Sequence, residues 1–208
     1  MSETELARIR LLMGTTGSGK TYKMRELLRS EDRCILFDTM ADEKFEDWGV
    51  ECFAIEDVIT LAQKTPKFHI KVQFSDIERF DFLCRTMVKK PFGYGLFTNC
   101  TLAVDELAMF TNPHWMPHSL NDLIRLGRHT GARLLATTQR PADINIFIRS
   151  QCKENFLFQM HEKGDIDTFR GRLENPERLM DLKIGEYLQW NPMARTNREE
   201  PEPQEETS

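Results

Sequence analysis

Residues Gly14, Thr15, Thr16, Gly17, Ser18, Gly19, Lys20 and Thr21 satisfy every fixed position of the pattern G-x-x-x-x-G-K-[ST]. That arrangement is suited to holding a nucleoside triphosphate. Glycines let a loop wrap a β-phosphate closely enough for its N–H groups to point inward, where a Cβ would clash or forbid the dihedrals. A helix starting after the loop adds further N–H groups and the positive end of its dipole. Lys20 offers a point charge to the β- and γ-phosphates, and Thr21 offers a hydroxyl to Mg²⁺. The expected ligands are therefore ATP and Mg²⁺.

A second cluster of polar groups is expected to face the same place. Thr101–Glu106 reads as an apolar strand ending in two carboxylates, 85 residues after Lys20. In a parallel sheet the carboxyl ends of the strands open onto the ligand crevice. Asp105 would then hold the Mg²⁺ shell, and Glu106 would act as general base towards an attacking water. Gln139 ends another apolar run, Arg133–Gln139, and an amide there can bond both a γ-phosphate and the water. A water-activating acid favours hydrolysis over transfer to an acceptor.

These residues need a scaffold of strands with aligned ends, and the chain supplies the pattern for one. Apolar runs at 9–14, 34–39, 68–74, 100–106 and 133–139 alternate with helical spacing at 19–29, 56–64, 76–89 and 118–129. Runs at 155–160 and 186–190 add two further strands. The fold class expected is α/β, a mostly parallel central sheet flanked by helices. One domain over 1–195 followed by an acidic disordered tail over 196–208 is the simplest division.

The composition is that of an ordinary globular chain, with 40% hydrophobic and 29% charged residues in 208. No apolar run reaches eighteen residues, and the N-terminal ten lack an apolar signal core, so neither a membrane span nor a signal peptide is expected. The net charge of −5 is concentrated in the tail, where five glutamates face one arginine and leave residues 1–195 at −1. Such a tail cannot bury enough apolar surface to order itself. The five cysteines, Cys34, Cys52, Cys84, Cys100 and Cys152, lack metal-ligand spacing and read as reduced packing residues.

Taken together, GTTGSGKT, LAVDE and GRHTGARLLATTQRP resemble the FtsK/HerA superfamily of ring-shaped DNA-translocating ATPases. Within it the chain looks most like the genome-packaging ATPases of tailless, membrane-containing viruses. The resemblance covers about residues 9–160 and is most specific from Leu123 to Pro141. It implies a RecA-like P-loop NTPase core, a homo-oligomeric ring of five or six subunits, and nucleotide held between subunits. It places an arginine finger at Arg128, acting on the neighbouring subunit, with Arg125, Arg140 and Arg149 as further candidates. The partners implied are double-stranded DNA and a capsid or membrane portal protein, and the place of action is the host cytoplasm or the virion.

The basic bias of residues 120–172 suits phosphate contacts that read no bases. The stretches 109–119 and 89–95 are the expected DNA-facing loops, although Trp115 and Phe92 could instead cover core. The alternative within the superfamily is a cellular or plasmid HerA/FtsK-like DNA-transfer ATPase. Two other classes fit parts of the sequence: a small P-loop kinase, which would not need Glu106 or Gln139, and a Zot-like assembly protein.

Overall fold

The computed structural model describes residues 9–39, 43–73 and 76–191. Its strands are β1 (Ile9–Met13), β2 (Arg33–Asp38), β3 (Val50–Cys52), β4 (Phe68–Val72), β5 (Thr101–Asp105), β6 (Arg133–Thr138), β7 (Glu154–Phe158) and β8 (Tyr187–Trp190). The helices are α1 (Lys20–Arg29), α2 (Ile55–Lys64), α3 (Ile77–Thr86), α4 (His118–Leu126), α5 (Ile146–Gln151) and α6 (Lys163–Asp167). All eight strands form one sheet in the order β3-β4-β2-β5-β6-β1-β7-β8. Every pairing is parallel except that of β7 with β8.

Parallel strands covered on both faces are apolar along their whole length, and here successive residues part cleanly to the two sides. Leu12, Leu36, Ala103, Leu135 and Phe156 pack with Met24 and Leu28 of α1. Leu11, Ile35, Leu102, Leu134 and Leu157 pack on the other face with Phe80 and Leu83 of α3, Leu120 of α4 and Ile148 of α5. The same alternation sends Asp105 and Thr137 to the α1 face, while Thr138 closes β6 and Glu106 directly follows the last residue of β5.

At the amino ends of the strands a buried ionic cluster fixes their alignment. Glu31 accepts from Arg10 at 2.6 Å, from Arg133 at 2.7 Å and from Thr101 at 2.8 Å. These partners lie near the starts of β1, β6 and β5, so one carboxylate ties three strands.

The structure departs from the sequence expectations mainly at short elements. The edge strand β3 and the short helices α5 and α6 carry too few residues to show a period. Helix α3 stops at Thr86 rather than continuing to 89, because the chain folds back: the N–H groups of Tyr94 and Leu96 donate to the carbonyls of Arg85 and Thr86. Helix α4 stops at Leu126 and passes into a 3-10 turn over Gly127–His129. The acidic tail expected over 196–208 lies outside the described residues.

Candidate nucleotide site

The loop between β1 and α1 is pinned on both sides by neighbouring strand ends. The N–H of Gly14 donates to Thr138 O at 3.2 Å, and that of Thr15 to Gln159 O at 2.8 Å. A third tie runs from Gly185 N–H to Ser18 O at 3.0 Å. Two glycines are dictated by space as well as by dihedral. A Cβ on Gly14 would stand 2.7 Å from the Cβ of Phe158, and one on Gly19 would stand 3.1 Å from Gly185 Cα, at φ of +107°. Lys20, the first residue of α1, is buried and donates to the carbonyls of Gly14 and Thr15 at 2.8 and 2.7 Å. The ammonium is thus held by the rim of its own loop, within reach of an anion seated there.

Strand β6, between β1 and β5, carries the groups that join the loop to the carboxylates. Thr16 donates to Gln139 Oε1 at 2.7 Å. Thr137 donates its hydroxyl to Asp105 Oδ1 at 2.7 Å, and accepts the Glu106 N–H at 3.0 Å. Thr138 donates to Glu106 Oε1 at 2.9 Å, while Glu106 Oε2 accepts the Gln139 N–H at 3.0 Å. Both carboxylates are therefore oriented by β6, and both oxygens of Glu106 are engaged. Glu106 has φ of +63° and ψ of +74°, a left-handed conformation costing a non-glycine residue about 1 kcal/mol or more. Burial pushes its carboxyl above the ordinary range, and the Thr138 hydroxyl, the Gln139 N–H and the Lys20 charge draw it partly back.

Gly14–Thr21, Asp105, Glu106 and Gln139, all expected from the sequence, come together at the carboxyl ends of β1, β5 and β6. Thr137, Thr138 and Asp38 join them without having been expected. Asp38 is buried, ends β2, and pairs across the sheet with Asp105; the one signal for it was that its apolar run also closes on an acid.

Arg128 is not near this cluster. It is exposed in the turn after α4, just before β6 begins, with its Nε 3.4 Å from His129 Nε2. A six-residue strand spans about 20 Å, so Arg128 lies at the opposite end of the sheet from its own loop. Arg125 covers the Phe147 ring at 4.8 Å. Arg149 is half-buried near the end of α5, leading towards the amino end of β7.

The two loops expected to face DNA lie at opposite ends of the sheet. Residues 109–119 follow Glu106 at the carboxyl end and are tied to α5 by Ile146 N–H on Pro113 O and Asn145 Nδ2 on Asn112 O. Residues 89–95 precede the amino end of β5. Trp115 and Phe92 are 53% and 59% exposed, so neither covers core. Much of the basic bias has internal partners: Arg133 pairs with Glu31, Arg170 with Asp167 and Glu177, and Arg172 lies over Trp190. All five cysteines are free and buried, and burial raises the Cys100 and Cys152 thiols to about 12.

For Mg²⁺ the available donors fit. Among the described residues there is no cluster of three or more His, Cys, Asp or Glu placed to hold a metal. Mg²⁺ usually takes one or two protein oxygens and fills its octahedron with water and phosphate, a need that the Asp105 carboxylate ending β5 and the Thr21 hydroxyl in the first turn of α1 would meet. No helix of the described residues is long and apolar enough to cross a membrane.

No protein-family model and no curated protein matches the chain. Solved structures do resemble it. The genome packaging NTPase B204 from Sulfolobus turreted icosahedral virus 2, in complex with sulfate, superposes with a TM-score of 0.74 at 19% identity, covering 92% of this chain and 94% of that one. The same protein in complex with ATP-gammaS gives 0.73 at 17% identity, covering 94% and 96%. VirB4 of Thermoanaerobacter pseudethanolicus gives 0.62 at 12% identity, covering 95% and 90%. At such identities the likeness is one of fold: an α/β P-loop NTPase fold with a mostly parallel sheet.

Proposed function

We propose that this chain is an ATP-hydrolysing motor that moves double-stranded DNA, packaging a viral genome into a preformed capsid from the host cytoplasm. The observation that carries the reading is the convergence of Gly14–Thr21, Asp105, Glu106 and Gln139 on one end of the sheet, linked through β6. The structural likeness to B204, a genome packaging NTPase, supports the packaging branch.

Each residue has a task in hydrolysis. Main-chain N–H groups of the loop bind the β-phosphate, and Lys20 neutralises charge between the β- and γ-phosphates. Thr21 and Asp105 would hold Mg²⁺, which when bound supplies charge neutralisation on the phosphate oxygens. Glu106 leaves Thr138 and takes a proton from a water that attacks the γ-phosphorus as the bond from that phosphorus to the β,γ-bridging oxygen breaks and ADP leaves, the carboxylate being made more basic by burial. Gln139, already bonded to Thr16, orients that water and senses whether the γ-phosphate is present. Arg128 cannot serve its own site, and would serve the ATP of the neighbouring subunit in a ring of five or six.

The test is phosphate release from Mg-ATP without an acceptor, measured with and without duplex DNA across protein concentration. A motor ring gives a rate that rises with both, and Lys20→Ala gives none. A rate indifferent to DNA and to concentration contradicts the proposal.

A further inference from the structure

An open cavity of about 440 Å³ adjoins the loop, and its lining includes Thr15, Thr16, Gly17, Gln139, Arg140 and Asp165. Thr15, Thr16 and Gly17 form the outer half of the phosphate loop, so any anion seated in the loop borders this space. Asp165, in the first turn of α6, has a side chain only 4% exposed, yet among the described residues its one charged partner is Arg140, 55% exposed. A carboxylate withdrawn from water is costly unless paired and hydrogen-bonded. Here both oxygens grip one short turn. Oδ2 accepts Arg140 Nε at 3.2 Å, and Oδ1 accepts the Ala142 N–H at 3.1 Å. The grip is on Nε, the guanidinium nitrogen nearest the backbone. The two terminal nitrogens make no hydrogen bond to a described residue, and the side chain lines the same cavity as Thr16 and Gln139.

We infer that Arg140 is a second cationic reader of the terminal phosphate, acting in its own subunit, and that Asp165 is the positioning residue that aims it. The inference rests on the nucleotide reading above. The contrast with Arg128 is geometric: Arg140 follows the carboxyl end of β6 beside the loop, whereas Arg128 precedes the amino end of the same strand. A charge-assisted contact to a γ-phosphate oxygen favours a triphosphate over a diphosphate. Deleting it costs about 10- to 100-fold in affinity for the triphosphate alone.

The test is calorimetric titration of Mg-ATPγS and Mg-ADP into the wild type, Arg140→Ala, Arg140→Lys and Asp165→Asn. The expected result is a loss of ATPγS affinity of at least 10-fold in Arg140→Ala with ADP affinity unchanged. Smaller losses of the same kind are expected in Arg140→Lys, which keeps the charge, and in Asp165→Asn, which keeps the shape. Should Asp165→Asn fail to fold, the two Arg140 variants decide the matter. An ATPγS-to-ADP ratio in Arg140→Ala within twofold of the wild type overturns the inference and leaves the nucleotide site standing. A wild type that binds neither nucleotide overturns both. Mixed with Lys20→Ala subunits, Arg140→Ala should recover no turnover, since neither kind of subunit has a complete site. Recovery would move Arg140 to a neighbour's ATP and overturn the assignment in its own subunit.

Discussion

Glu106 sits in a tension that only its own strand end explains. Its backbone is left-handed, its carboxyl is raised by burial, and both its oxygens are held by Thr138 and Gln139. Hydrolysis requires it ionised and released towards a water, so turnover should fall as pH drops through its raised pKa. The acid limb of the rate profile should therefore lie above the ordinary carboxylate range. Thr138→Val removes a hydrogen bond that favours the ionised form, so the limb should move to higher pH, read from kcat against pH. An unmoved limb would remove Glu106 as the titrating base. Glu106→Gln should still bind ATP and turn over at least 100-fold more slowly, in keeping with the usual worth of a general base; near-normal turnover contradicts its role. The loop and both acids were legible because glycine, lysine and paired carboxylates are uncommon at those spacings. Thr137 and Thr138 were not, since a threonine in a strand looks like any β-branched residue until its neighbour across the sheet is known.

At the scale of elements, apolar runs disclosed seven of the eight strands because parallel strands buried on both faces must be apolar throughout. The three-residue β3, the six-residue α5 and the five-residue α6 escaped, being too short to repeat the periods that would reveal them. What no local pattern could supply was strand order. The insertion of β6 between β1 and β5 joins the loop to the carboxylates through Gln139, Thr137 and Thr138. The same order gathers Arg10, Thr101 and Arg133 round Glu31. Glu31→Ala should leave both arginines uncompensated. The expected loss of stability is about 2 to 4 kcal/mol, less than for a fully buried triad because Arg133 is nearly a third exposed. Urea denaturation should show a lower midpoint at unchanged slope; a midpoint within error of the wild type would mean the cluster contributes nothing. Arg128, at the far end of β6, belongs to this scale too. Arg128→Ala should lose turnover and regain part of it when mixed with Lys20→Ala subunits, whose intact Arg128 can serve a neighbour. Absence of recovery removes Arg128 as a residue acting between subunits.

For the whole molecule, partner chemistry was the least legible. A basic bias in sequence says nothing about which charges are already paired, and Arg133, Arg140 and Arg170 prove to be. The loops at 89–95 and 109–119 lie at opposite ends of the sheet, so they do not form one surface on a single subunit. If duplex DNA is gripped through phosphates, its stimulation of ATPase activity should fall steeply between about 50 and 200 mM salt; a salt-independent effect would exclude backbone contacts. Every function argued for this chain depends first on a triphosphate lying over the carboxyl ends of β1, β5 and β6. The most direct test is a crystal structure with Mg-ATPγS. The expected density places the β-phosphate within the main-chain amides of Gly14–Thr21, and the γ-phosphate facing Gln139 and Glu106. Nucleotide bound anywhere else on the molecule would contradict it.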